Sequence, residues 1–413
     1  MRLIEIKPSE IQGIISCSGS KNITLPLIAC TLLTRGRCIL NNVPDILDVR
    51  IMLDICNHLG VKTYFKDNQL TIDSTSLSPN TIPKNLIEKI RASYYFLPII
   101  LPLVEKYKFS FPGGCLFQER PINFHLEAFK QFGVNVRISK EIEFEIDELK
   151  ATNIIIPKKS VGATINIILL ALSIKGTTKI INPSLDVEVL EVIKFLKKAK
   201  GKIQIENQNI IVEGSKLSPV DFTILNDRIE NGTYALLGAS CGKISILNFD
   251  PVQNKILLDL FDSLSIKYRC HSFLVVEKSY INYPLSLVLS NDNNHLHTDL
   301  GPILVAFLLR NTKISIIEDI VYPQRLSYID ELIKLGAKIR GINNKIIIFP
   351  HSNFLSTKLI GKDLRGTMSL IIGAIISKKE QIVEGYEYLL RGYENIIDKL
   401  MGIEVAIKEI KND

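Results

Sequence analysis

Apolar residues recur at helical spacing from Asn22 to Leu33, through Leu25, Leu27, Ile28 and Leu32, and the run stops at Arg35-Gly36. A short strand follows at Cys38 to Leu40, then a second helix from Asp48 to Leu59, then two alternating stretches joined at Lys66-Asp67-Asn68 that predict a hairpin. The same order returns after Arg91, Gly162, Arg228, Asp299 and Arg365. The hairpin-side halves run over Ile51 to Asp73, His125 to Asp147, Val189 to Gly214, Ile256 to Glu277, Tyr328 to Phe349 and Glu394 to Ile410. Gly60, Gly133, Gly201, Gly336 and Gly402 mark five of the joints between second helix and hairpin, and Ser265 stands near the glycine-free fourth. The pattern predicts an α/β fold of six βαβαββ-type repeats, three to each of two domains.

The longest apolar runs, Tyr94 to Val104 and Thr367 to Ser377, are too short to span a bilayer and predict buried helices, the first with a kink at Pro98. Residues 1–7 alternate like a strand and lack the apolar core of a signal peptide. Two short segments suit chain crossings between domains, Ser18 to Lys21 and Leu225 to Arg228. The expected division is a domain over 21–226 that carries the Cys115 loop, and a second made of 1–20 plus 227–413, with the active site in the cleft between them.

Charge and cysteines narrow the chemistry. The formal charge of +7 suits nucleic acid or anionic small molecules. Its lysines are spread along hairpins and helix flanks with no aromatic-plus-basic motif, which favours small anions and argues against nucleic acid. Seven cysteines without a C-x-x-C pair argue against a disulfide framework and a zinc site and point to the reducing cytoplasm. No Walker loop, G-x-G-x-x-G or nucleophile elbow is present. His295-Leu296-His297 predicts a solvated loop, and His125 a packed histidine. A metal-free reaction on phosphorylated substrates is left.

The polar residues of the repeat fall at equivalent places. Lys21-Asn22, Arg91, Ser160-Val161-Gly162, Asp227-Arg228, Thr298-Asp299 and Asp363-Leu364-Arg365 each open a first helix. A second ring, between strand and second helix, holds Cys115 to Arg120, Glu188, Arg325 and Arg391. Helix N-termini carry unpaired N–H groups and partial positive charge, so such rings beside Lys and Arg suit polyanions. Paired glycines and flanking prolines make Phe111 to Pro121 a lid, and Arg120 gives Cys115 an electropositive setting that favours its thiolate. Asp299 has the position of an N-cap, yet a carboxylate among cations is also suited to take a proton from a hydroxyl. Arg325 and Arg391 read as a clamp for carboxylate and phosphate.

With these segments in place, the chain resembles the enolpyruvyl transferases, and among them those acting on UDP-N-acetylglucosamine. The likeness spans nearly the whole sequence and rests on Gly19-Ser20-Lys21-Asn22, Arg91-Ala92-Ser93, Pro112-Gly113-Gly114-Cys115 with Arg120-Pro121, Val161-Gly162-Ala163-Thr164, Asp227-Arg228-Ile229-Glu230, Thr298-Asp299, Asp363-Leu364-Arg365 and Arg391-Gly392-Tyr393-Glu394. It implies a two-domain inside-out α/β barrel, no cofactor, and transfer of the enolpyruvyl group of phosphoenolpyruvate to the sugar 3-hydroxyl with release of phosphate. By that resemblance Lys21, Arg120 and Arg391 hold phosphoenolpyruvate, Cys115 donates a proton and forms an adduct, and Asp299 is the base. Asn22, Arg91, Pro121, Asn123, Phe124, Ser160, Val161, Gly162, Glu188, Asp227, Val321, Arg325, Asp363 and Arg365 complete the substrate pocket. Two competing readings are the related shikimate-pathway enolpyruvyl transferase and a nucleotide-sugar-binding paralogue without turnover.

Overall fold

Six separate sheets, one for each repeat, carry the strands of the described residues. The computed structural model describes residues 2–114, 122–292 and 294–410, so Cys115, Arg120, Pro121 and the expected lid lie outside the described residues. One compact unit is built from residues 2–18 and 226–410, the other from 19–114 and 122–225.

The third repeat shows the plan. Strand Asn153–Ile155 leads into helix Val161–Leu172, strand Thr177–Ile181 returns parallel to the first, and helix Val187–Lys198 leads to the hairpin Lys202–Glu206 and Asn209–Glu213. The hairpin joins Thr177–Ile181 antiparallel through its second strand. Three repeats recruit distant strands for this plan. Arg37–Asn41 of the first takes Asp221–Thr223 as its parallel partner, and Gly242–Leu247 of the fourth takes Ile11–Ser16. In the sixth, Leu3–Lys7 fills the place of a hairpin strand between Gln381–Glu384 and Ala406–Ile410.

The two helices of a repeat differ in pattern because they differ in surroundings. First helices are apolar almost all round, as full burial requires. Lys21–Leu32 is buried from Ile23 onward, and Arg228–Cys241, Gly301–Leu308 and Leu364–Ser377 pack on one another in the middle of their unit. Second helices such as Leu47–His58 and Val187–Lys198 bury one face and leave charged residues outside. Each unit has its own apolar core.

The run Tyr94 to Val104 departs from the expected single helix. It is split into a 3-10 segment Arg91–Phe96, one α turn Leu97–Ile100 and a second 3-10 turn Leu101–Leu103. Pro98 and Pro102 each lack the N–H that would bond back into a continuous helix, so each turn restarts one residue before a proline. Thr367 to Ser377 does lie within one buried helix.

The joints after the second helices need one residue in the left-handed region. Gly60, Gly133 and Gly336 supply it at φ +77°, +101° and +101°, and Ser265 adopts φ +54° where the glycine is missing. In the third and sixth repeats the role falls to Lys200 and Glu404, at φ +70° and +63°, rather than to Gly201 and Gly402. A Cβ on Gly336 would stand 1.9 Å from the Asn353 carbonyl oxygen. Gly336→Ala is expected to destabilise the protein by roughly 2 kcal/mol or more, whereas Ser265→Gly should fall between neutral and about 1 kcal/mol stabilising. Chemical denaturation followed by circular dichroism measures both.

Candidate functional site

Two clusters of sequence-selected residues form, one within each unit. In the unit of residues 2–18 and 226–410, two helices of fourteen residues begin on aspartate caps. Asp227 Oδ1 accepts hydrogen bonds from the backbone N–H of Ile229 at 2.8 Å and Glu230 at 3.1 Å, and Asp363 Oδ1 accepts from those of Arg365 at 3.1 Å and Gly366 at 3.0 Å. Both caps answer N–H groups that the first helical turn leaves unbonded. The second cap also fixes the backbone from which Arg365 projects.

Asp299 is not a helix cap. It lies inside a 3-10 turn, Thr298–Leu300, whose cap is His297: the Nδ1 of that ring accepts from the Asp299 N–H at 3.1 Å. The expected solvated loop is therefore ordered, with Leu296–His297 forming a short strand beside Leu285–Ser290 and His295 paired to Asp292 at 2.7 Å. Freed from capping, the Asp299 carboxylate meets Arg325 Nη1 at 3.1 Å through Oδ1 and Arg365 Nη2 at 3.4 Å through Oδ2. Both guanidiniums are buried. Burial alone would raise the Asp299 carboxyl, but Arg365, then Arg325 and His297, outweigh it and hold the group well below the usual carboxylate range.

Asp319, which sequence reading missed, sets the loop that delivers Arg325. Its Oδ1 accepts from the N–H of Val321 at 2.9 Å and Tyr322 at 2.8 Å, and its Oδ2 accepts from the Thr298 hydroxyl at 2.5 Å. Val321 is thus half-buried in this loop, and the Arg325 guanidinium lies 4.5 Å from the centre of the Tyr322 ring. Arg391 ends the 3-10 segment Tyr386–Arg391, half-buried, two residues before Tyr393.

In the other unit, Lys21 opens helix Lys21–Leu32 and its Nζ lies 2.7 Å from Asp48 Oδ2, a buried carboxylate in the first turn of helix Leu47–His58. Asn22 follows, half-buried. Asp48 occupies the same ring as Glu188, and that shared position is the signal by which the sequence could have found it. Glu188 is itself buried in the first turn of Val187–Lys198, behind the Asp186 cap. Ser160 caps Val161–Leu172, accepting from Ala163 N–H at 3.3 Å, which places Val161 and Gly162 in the first turn. Asn123, exposed, and Phe124, half-buried, open helix Asn123–Gln131.

Arg91, Tyr94, His125 and Gly162 come together from three helices. The Arg91 guanidinium lies 5.6 Å from the centre of the Tyr94 ring, which stands 4.6 Å from that of His125. A Cβ on Gly162 would approach the Tyr94 hydroxyl to 2.5 Å and His125 Nε2 to 2.9 Å, so glycine is what lets this helix start close on the two rings. His125 is packed, as expected, and neither ring nitrogen has a hydrogen-bond partner among the described residues. Burial, and then Arg91, push its pKa down to about 3, so it is neutral near pH 7.

Among the described residues, no group of three or more His, Cys, Asp or Glu is placed to hold a metal ion, and no helix is long and apolar enough to cross a membrane. The chemistry the clusters offer is that of buried cations, helix N-termini and the ionised carboxylate of Asp299.

Six helix-and-sheet repeats, the second with three strands among the described residues, and polar or charged residues near their helix starts are the plan expected of the enolpyruvyl transferase class, and comparison bears on which branch. The chain belongs to the EPSP synthase (3-phosphoshikimate 1-carboxyvinyltransferase) family, whose model matches residues 6–400. Its similar curated relatives are named UDP-N-acetylglucosamine 1-carboxyvinyltransferase. That of Thermotoga petrophila is 31% identical over 98% of this chain and 97% of its own, and that of Wolbachia sp. subsp. Brugia malayi is 30% identical over 98% and 99%. Among solved structures, the enolpyruvyl transferase NikO from Streptomyces tendae matches with a TM-score of 0.92 at 19% identity, covering 100% of this chain and 99% of its own. EPSP synthase from Acinetobacter baumannii matches at 0.79 and 14% identity over 100% of both chains. These neighbours share the expected fold, the inside-out α/β barrel of this family.

A buried neutral histidine makes stability depend on pH. The unfolded chain binds a proton at His125 near pH 6.5 and the folded one only near pH 3, so the unfolded state gains as pH falls through that window. Between pH 7.5 and pH 5 the wild type is expected to lose about 2 kcal/mol more stability than His125→Gln. Denaturant titrations at the two pH values give the comparison.

Proposed function

We propose that this chain transfers the enolpyruvyl group of phosphoenolpyruvate to the 3-hydroxyl of UDP-N-acetylglucosamine, releasing phosphate, in the cytoplasm and in the supply of peptidoglycan precursor. The full-length similarity to relatives of that name supports the substrate pair. The structural observation that carries the chemistry is the buried, ionised Asp299 between Arg325 and Arg365. The EPSP synthase fold neighbour is far less similar in sequence, at 14% identity, which favours the nucleotide-sugar branch over the shikimate one.

In this reading the methylene carbon of phosphoenolpyruvate takes a proton from Cys115, which leaves cationic character on the neighbouring carbon. The sugar 3-hydroxyl gives its proton to Asp299 as its oxygen bonds to that carbon. The tetrahedral adduct then loses phosphate, which leaves with the proton held by Asp299, while one methyl proton returns to the Cys115 thiolate and the double bond returns in the enol ether. Lys21, Arg120 and Arg391 would hold the carboxylate and phosphate of phosphoenolpyruvate. Asn22, Arg91, Pro121, Asn123, Phe124, Ser160, Val161, Gly162, Glu188 and Asp227 would bind the nucleotide sugar, with Val321, Arg325, Asp363 and Arg365 completing the pocket. The division into domains of 21–226 and 1–20 plus 227–413 belongs to the same reading.

The two guanidiniums that keep Asp299 ionised also weaken it as a base. Its role requires substrate anions to share those guanidiniums, so that basicity rises as the site fills. Cationic clamps also explain how several negative charges are held without a metal.

Phosphate release from phosphoenolpyruvate should occur with UDP-N-acetylglucosamine and not with shikimate 3-phosphate; release with shikimate 3-phosphate instead, or binding without release, overturns the proposal. Asp299→Asn is expected to lower kcat by roughly a hundredfold or more while both substrates still bind, as measured by steady-state kinetics and calorimetry. Arg391→Ala should weaken phosphoenolpyruvate about tenfold or more with a much smaller effect on the nucleotide sugar. Equal loss of both would remove Arg391 from its assigned role.

A further inference from the structure

We infer that His297 is a positioning residue for this reaction: its ring nitrogen Nδ1 caps the turn that carries Asp299 and so leaves the Asp299 carboxylate to face the two arginines. The inference rests on Asp299 being the base. His297 belongs to the segment His295-Leu296-His297, which the reaction as described leaves without a role.

The N–H groups of a first helical turn have no partner inside the turn, and the side chain just before it commonly supplies one, most often from Asp, Asn, Ser or Thr. The residue before the turn Thr298–Leu300 is His297, in extended backbone at φ −62° and ψ 134°, and its Nδ1 accepts from the Asp299 N–H at 3.1 Å. Nδ1 accepts only while it carries no proton, so the capping ring is neutral, with its own proton on Nε2. A proton on Nδ1 would remove the acceptor and set a positive charge beside the carboxylate in its place. The polar side chains on either side of that N–H are used otherwise. Thr298 Oγ1 donates to Asp319 Oδ2 at 2.5 Å, and the Asp299 carboxylate meets Arg325 Nη1 at 3.1 Å and Arg365 Nη2 at 3.4 Å.

Two pins therefore hold the turn at consecutive residues. Thr298 is tied through its hydroxyl to Asp319, and Asp299 through its N–H to His297. Asp319 also sets the loop that delivers Arg325, whereas the His297 pin sets the backbone from which the carboxylate itself projects. The carboxylates of the adjoining loops already have partners: Asp319 accepts from Val321, Tyr322 and Thr298, and Asp292 is bonded to Ser290, Asn294 and His295. Without Nδ1 the turn keeps one pin, and its backbone shifts while the two guanidiniums still hold the carboxylate. Proton transfer needs the base within about 2.6–3.2 Å of the hydroxyl, so a small shift of the carboxylate costs rate. The arginines and helix starts that hold the substrates are untouched by the cap, which puts the effect on kcat and not on KM.

Asn and Gln separate the two ends of the ring. The amide oxygen of Asn is bonded to Cγ, as Nδ1 is, and reaches the Asp299 N–H from the same place; the polar end of Gln lies one bond further out, near the position of Nε2. His297→Asn is expected to keep kcat within about twofold of wild type, while His297→Gln and His297→Leu lower it about fivefold, all with KM for phosphoenolpyruvate and UDP-N-acetylglucosamine within about twofold. Wild-type kcat in His297→Gln and His297→Leu overturns the inference, whether or not their melting temperatures fall. So does a loss in His297→Asn equal to theirs, or a change confined to KM. If His297→Leu does not fold, the Asn and Gln variants decide by the same comparison. Asp299→Asn keeps the N–H but removes the charge, so adding His297→Gln to it should lower kcat no further; a further loss of about fivefold means that His297 acts by another route and overturns the inference. Asp299→Asn alone separates the two levels. Full turnover there defeats the base assignment itself, whereas a large loss there beside an unaffected His297→Gln defeats only the positioning role.

Discussion

A carboxylate taken out of water has to be matched by cations, and Asp299 is matched by two that come from different repeats. Leaving such a group buried without a partner costs several kcal/mol, so the ion cluster and the packing of the fifth and sixth repeats depend on each other. Arg325 arrives on a loop pinned by Asp319, and Arg365 on a helix start pinned by Asp363. The pins are themselves aspartates using backbone N–H groups, which spend no cation on their own neutralisation. Assembly of the unit and preparation of its chemistry are therefore one event.

The other unit solves a similar problem partly by charge and partly by its absence. Lys21 and Asp48 form a short ion pair between the two helices of the first repeat. Beside Arg91, by contrast, the partner is an aromatic face and a histidine kept neutral by burial. The Arg91 guanidinium thus lies against a ring stack that carries no charge of its own. Gly162 is the steric condition for it, because any side chain there would push the helix start off the two rings.

Local pattern was a good guide where local physics decides. Helix starts follow the break between polar and apolar residues, and the first helix spans Lys21–Leu32 against an expected Asn22 to Leu33. The hairpin tip Asp67-Asn68 has both residues at positive φ, which its composition announces. Pattern failed where two local rules compete, as at Tyr94 to Val104, where apolar spacing says helix and Pro98 and Pro102 interrupt it. It failed also where distant contact decides. Asp299 looks like a cap because its neighbours are Thr298 and Leu300; only the approach of Arg325 and Arg365 turns the side chain to another use. Asp319 carries no signature of its own, since it acts through residues brought near by folding, and Asp48 is marked only by sharing the place of Glu188 in the repeat.

Strand Leu3–Lys7 is sandwiched between segments almost four hundred residues downstream: Leu3 pairs with Glu384 on one side and Ile410 on the other. During synthesis strand Leu3–Lys7 has neither of these partners until residues 381–410 have left the ribosome. The unit made of 19–114 and 122–225 has all its strands by then. One half of the molecule is able to fold as it emerges, and the half bearing Asp299 has to wait for residues 381–410, with strand Leu3–Lys7 exposed to chaperones or to aggregation until then.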